Sequence, residues 1–162
     1  MDPADAEDRE YFVETVLHEY FHYLSLNDTQ VIYTSEQTLD TYNEPGMVTL
    51  ADSYLNDFYQ EFWTGYLDDC LACDDTYNFF LRHCDDFITP YASTDPSEDI
   101  CESFAFFVLR PRDFRADEDV WSRKLDFFYQ YPQLVAFREE VRGNLGLAWG
   151  EYFESRQEAD AA

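Results

Sequence analysis

The chain has 162 residues, with 35 Asp or Glu against 10 Lys or Arg, a formal net charge of −25, and 19% aromatic side chains. That charge excludes the basic footprint needed for nucleic acid or anionic membrane surfaces, and the ring content excludes a disordered acidic chain, which is poor in aromatics. The length suits one domain over residues 1–162, with the acidic ends 1–8 and 155–162 read as flexible.

No stretch approaches the roughly 18 apolar residues of a membrane span. The start, "MDPADAEDRE", has neither a basic n-region nor an apolar core, so it is not a secretory signal. Two localisations stay open: inside the cell if the chain is complete, secreted or cell-surface if it is a mature piece. So strongly acidic a surface suits high salt, where screening removes self-repulsion, or a cationic substrate.

In chain order, the spacing predicts a helix over 6–26, with Phe12, Val16, Tyr20 and Leu24 on one apolar face. Residues 27–51, rich in Thr, Asn and Asp and holding Pro45-Gly46, read as a loop with at most a small β-hairpin, its strands near "QVIYTS" and "MVTL". Helices are then expected over "DSYLNDFYQEFWTGYLDDCL" and "TYNFFLRHCDDF". The next opens at Asp95-Pro96, with Asp95 as N-cap, and runs to about Leu109. Two more cover "EDVWSRKLDFFYQ" and "PQLVAFREEVRG", the last stopped by Gly143-Asn144. The expected fold is mainly α, in a single domain.

Within the first helix stands His18-Glu19-Tyr20-Phe21-His22, the pattern H-E-x-x-H. Histidines four apart leave one helix face and can share one zinc ion, with the glutamate placed to act as general base. Such a site needs a third protein ligand. Glu98 and Glu102, also four apart, offer it: one can bind the ion while the other holds the free ring nitrogen of a ligand histidine. Asp95-x-x-Glu98 is equally a capping box, which would tie Glu98 to a backbone amide. Cys101 lies between the two glutamates and reads as a small core residue off their face, and Asp99 as pointing away towards an arginine or solvent.

The motif, followed by Tyr91, Glu98 seven residues on and Glu102 in "EDICESF", resembles the gluzincin metallopeptidases. It is most similar to the group containing anthrax lethal factor and Pro-Pro endopeptidase, and to bacterial and archaeal zinc metallopeptidases related to them. The stretch "KLDFFYQYPQLVAFREEVRGNLGL" extends the likeness over most of residues 11–147. The resemblance implies a compact zincin-like helical domain with an active-site helix and a glutamate helix. It implies one catalytic Zn2+ held by His18, His22 and Glu98, with Glu19 as general base, Glu102 orienting the first histidine and Tyr91 stabilising the oxyanion. The implied activity is that of an endopeptidase acting on a peptide or protein. Gluzincins usually place a sheet before the active helix, whereas 17 residues precede His18 here. Either residues 27–51 stand in for that sheet, or the chain is a minimal or truncated catalytic module. A non-catalytic zinc-binding or interaction domain on the same scaffold is the alternative.

Cys70-x-x-Cys73, with His83 and Cys84 downstream, leaves three options: a disulfide from Cys84 to Cys70 or Cys73, free thiols, or a second zinc. His83 reads as structural.

Overall fold

A computed structural model of the chain describes residues 3–38, 40–112 and 119–147, with side chains from residue 9 onward. Among these the architecture is mainly α, as the periodicity predicts. The elements run α1 (Pro3–Ser25), β1 (Val31–Tyr33), β2 (Asn43–Glu44), β3 (Met47–Thr49), α2 (Tyr54–Phe62), α3 (Leu67–Leu71), α4 (Thr76–Arg82), α5 (Pro96–Leu109), α6 (Val120–Phe127), a 3-10 turn (Phe128–Gln130) and α7 (Pro132–Leu145). Most of the acidic start thus belongs to α1, while residues 155–162 lie outside the described residues. None of the described helices is long and apolar enough to cross a membrane.

The α5 helix is the central element, packed by α1, α2, α6 and α7. Its residues Ile100, Cys101, Phe104, Val108 and Leu109 are all fully buried, because four helices pack around it. Its start is set by Asp95, whose carboxylate accepts the backbone N–H groups of Ser97 and Glu98, and by Pro96 in the first turn. Its last carbonyls are satisfied from α7. The Arg138 guanidinium donates to the carbonyls of Phe107 and Arg110, and Arg142 to those of Val108 and Leu109. Two cations at a helix C-terminus also oppose its negative dipole end.

Against α5 lies α1, through Leu17, Phe21 and Ser25. Phe21 stacks on Phe104 at 4.2 Å between centroids and meets the edge of Phe128 at 5.5 Å, a burial worth about 1.5–3 kcal/mol for one such side chain. This face differs from the one expected. Phe12 and Val16 are exposed and Tyr20 is 37% exposed, because α1 is apolar on two stripes and only the one beside the histidines meets α5.

The long helix expected over 52–71 is broken into α2 and α3 at Trp63–Tyr66. Trp63, the C-cap of α2, is fully buried and donates its indole N–H to Asp99 at 2.7 Å. The next helix stops early, at His83. The last runs past Gly143-Asn144 to Gly146, which caps it in the left-handed region at φ 69°.

The small sheet has order β1-β3-β2, all antiparallel, with Val31 opposite Thr49 and Glu44 opposite Met47. It contains the two expected strands and adds Asn43–Glu44. Pro45-Gly46 makes the β2–β3 turn, with Gly46 at φ 90°, where a side chain would be strained. The sheet follows the H-E-x-x-H helix rather than preceding it, unlike the order that the resemblance implies.

Asp99 does not meet an arginine or solvent. It is fully buried and bonded at 2.7 Å to Lys124, itself 0% exposed. Lys124 also donates to the Asp86 carbonyl at 2.8 Å and sits over the Phe87 ring. Burial presses both groups towards neutrality, Asp99 up and Lys124 down, and their contact works against it.

Candidate metal centre

Two helix pairs of residues face each other across the α1–α5 contact. His18 and His22 leave α1 on one side, and Glu98 and Glu102 leave the first turns of α5 opposite them. His18 Nε2 lies 3.0 Å from Glu98 Oε2 and 3.1 Å from His22 Nε2, and His22 Nε2 lies 3.3 Å from the same Glu98 oxygen. Three donor atoms thus form a nearly equilateral triangle. Zinc held at about 2.0–2.1 Å in a tetrahedron separates its ligand atoms by about 3.3 Å, so these three fit one ion.

The protonation logic points the same way. Glu102 Oε1 accepts from His18 Nδ1 at 2.8 Å, and Glu102 Oε2 accepts from the Thr89 hydroxyl at 2.8 Å. With Nδ1 carrying the proton, neutral His18 would aim its Nε2 lone pair at a carboxylate oxygen, two acceptors face to face. A cation between them resolves the conflict. Without a metal, a proton does so. Burial disfavours charge on His18, but the hydrogen bonds to Glu102 and Glu98 outweigh it and raise its pKa to about 9. Burial likewise pushes Glu98 up, and the bonds from His18 and His22 hold it well below the usual carboxylate range. His22 Nδ1 is buried with no hydrogen-bond partner among the described residues.

Asp95 and Glu98 do not compete as a capping box suggests. The Asp95 carboxylate takes the Glu98 backbone N–H, which leaves the Glu98 carboxylate to the histidines.

Glu19 is exposed on α1 and lines a cavity of about 580 Å³ with His18, Tyr91, Glu102, Phe106 and Arg110. That volume is within the range of ligand clefts. Tyr91 sits at its mouth, 52% exposed, its ring centroid 5.8 Å from that of His18. Desolvation, the Glu98 charge and a hydrogen bond to Glu98 raise the Tyr91 pKa to about 12, so the phenol stays a donor at neutral pH. His18, His22, Glu98 and Glu102 meet directly, Tyr91 lies against His18 and Glu98, and Glu19 shares a cavity wall with His18, Tyr91 and Glu102.

Three further residues belong to the site that the motif did not reveal. Thr89 fixes the second Glu102 oxygen. Glu44, on β2, is half-buried; burial and the Asp95 charge raise its pKa and His22 opposes this, which places its carboxylate within electrostatic reach of the site. Cys101, rather than lying off the face, has its sulfur grouped with ring nitrogens of His18 and His22, all within 4.8 Å of one another. Three residues along a helix is about 60° from Glu98 around the axis, on the flank turned to α1.

The remaining cysteines form no such group among the described residues. All four are free thiols, so the disulfide from Cys84 to Cys70 or Cys73 is not formed in this structure. The Cys70 thiol contacts the carbonyls of Ser93 and Thr94, Cys73 accepts from Arg82, and Cys84 is exposed. His83 pairs with Asp69 and Asp86 on the surface of α4.

Comparison with family models, curated proteins and solved structures returned no match to this chain.

Proposed function

We propose that the chain is a zinc-dependent metallopeptidase that hydrolyses peptide bonds, with His18, His22 and Glu98 holding the ion. The observation that carries this reading is the triangle of donor atoms, 3.0–3.3 Å on each edge, beside a cavity walled by Glu19 and Tyr91. A purely structural metal site needs neither a base nor an oxyanion donor at its edge.

Zinc supplies Lewis acidity to such a site, polarising a carbonyl and making water acidic enough to ionise near pH 7. The residues do the rest. Glu19, on the open wall, takes a proton from the attacking water and passes it to the leaving amine. Tyr91, still protonated, donates to the oxyanion of the tetrahedral intermediate. Glu102 holds the His18 Nδ1–H and so keeps the Nε2 lone pair aimed at the ion, and Thr89 holds Glu102. The acidic chain attracts cationic peptides at a distance, which makes them the first substrates to try.

The test is zinc per chain by elemental analysis, on protein purified without chelator in high salt, followed by a peptide-library cleavage screen with the wild type and Glu19→Gln. One zinc in both, with cleavage only by the wild type, supports the reading. A folded chain that takes up no zinc overturns it. One zinc with no cleavage of any peptide leaves the alternative, a non-catalytic metal-binding domain.

A further inference from the structure

We propose that Cys101 is a further ligand of the ion held by His18 and His22, bound through its sulfur, so that the resting site is closed by the chain itself. This rests on the metal reading above and adds to it a donor that the two-part motif does not contain.

The geometry is a two-helix arrangement. His18 and His22, an i,i+4 pair on α1, face Glu98 and Cys101, an i,i+3 pair on α5. The sulfur and the histidine nitrogens already lie within 4.8 Å of one another. Zinc with bonds of about 2.3 Å to sulfur and 2.0–2.1 Å to nitrogen separates those atoms by about 3.6 Å. Closing the gap takes a movement on the order of 1 Å, within reach of side-chain adjustment.

The state of the thiol adds an independent observation. Cys101 is fully buried, yet among the described residues its thiol makes no hydrogen bond. Cys70 is also buried, but its thiol is spent on two backbone carbonyls. Glu102 is not a competing fourth ligand, because both its oxygens are taken by His18 and Thr89. The donor set that results, two imidazoles with a carboxylate and a thiolate, suits zinc.

On binding, the S–H bond breaks, the sulfur electron pair forms the bond to the ion, and the proton leaves to solvent. Coordination removes the thiol proton outright. A sulfur in the coordination sphere occupies the position that water needs for hydrolysis. The chain is then latent, and displacement of Cys101 opens it.

The experiment is cobalt(II) substitution of the full chain, read by ultraviolet and visible absorption, with X-ray absorption of the wild-type zinc protein as the measurement that needs no variant. The expected result is an intense near-ultraviolet sulfur-to-cobalt band in the wild type that Cys101→Ala lacks while keeping the visible cobalt bands. Zinc should show one sulfur neighbour at about 2.3 Å. Cys101→Ala should also bind zinc about tenfold or more weakly and, if the wild type cleaves peptides slowly, cleave them faster. Cobalt bound with visible bands but no sulfur band, and zinc with only nitrogen and oxygen neighbours, overturns the proposal and leaves the His18–His22–Glu98 site standing. A folded chain that binds neither metal overturns both.

Discussion

Glu102 offers the sharpest test of how the site is held. Its two oxygens each make a 2.8 Å charge-assisted bond, one to His18 Nδ1 and one from Thr89. Glu102→Gln keeps the shape and can keep both contacts, its carbonyl facing His18 and its amide facing the threonine oxygen, but it makes both neutral. A charge-assisted bond exceeds a neutral one by about 1 kcal/mol. Two such losses come to about 2 kcal/mol, or roughly 30-fold in an equilibrium constant. That agrees with the 10–100-fold typical of residues that orient a metal-binding histidine. Thr89→Val, which removes one bond and leaves the charge, should cost only a few-fold. Zinc affinity measured by competition against a chelator, at fixed pH and salt, reads both. If Glu102→Gln binds zinc within threefold of the wild type while its melting temperature is unchanged, Glu102 does not orient a ligand and the assignment of roles on α5 is wrong.

Replacing Tyr91 with Phe should leave zinc content unchanged and lower kcat about 10²–10³-fold, the usual loss for one oxyanion donor; an unchanged kcat would remove Tyr91 from the reaction. Lys124→Met leaves the Asp99 charge buried and should cost about 3–5 kcal/mol in urea unfolding. Asp99→Asn with Lys124→Met should regain most of that, since a neutral amide can still accept from Trp63; a double variant no better than the single would refute the buried pair. For metal-free protein, the raised His18 pKa means that its stabilising charge is fully present below about 6.5 and is lost as the pH rises through about 9. The depressed Glu98 adds stability that is present above the ordinary carboxylate range and lost as the pH falls below it. In chelator the melting temperature should therefore decline between about pH 7 and 9.5, and His18→Gln should flatten that decline. A wild-type melting temperature that stays level across this interval would contradict the His18–Glu98–Glu102 cluster.

The site was legible wherever its residues lie within one helical turn of one another. His18 with His22, and Glu98 with Glu102, are i,i+4 pairs, and local spacing alone puts each pair on one face. Asp95-Pro96 marks the α5 start for similarly local reasons, and Pro45-Gly46 the hairpin turn. What could not be read depends on partners distant in the chain. Both stripes of α1 are apolar at helical spacing, and only the α5 surface decides that Leu17 and Phe21 go in while Phe12 and Val16 stay out. The turn after Phe62 accompanies an indole bond from Trp63 to Asp99, 36 residues away. Thr89 carries no pattern of its own, since its role depends on Glu102 being turned towards His18. Cys101 reads as lying off the face of the glutamates because i,i+3 and i,i+4 positions differ by an angle whose effect shows only once the facing helix brings His18 and His22 near its sulfur.

The chain has one lysine, and the fold hides it completely beneath α6. The native protein consequently offers amine-directed reagents no side-chain target, so acylating labels or crosslinkers added to the folded state should leave Lys124 unmodified. Once α6 separates from α5, that amine becomes the single side-chain position to react. Mass spectrometry of one peptide then counts opening events at the α5–α6 interface, where Lys124 meets Asp99, in any amine-free buffer.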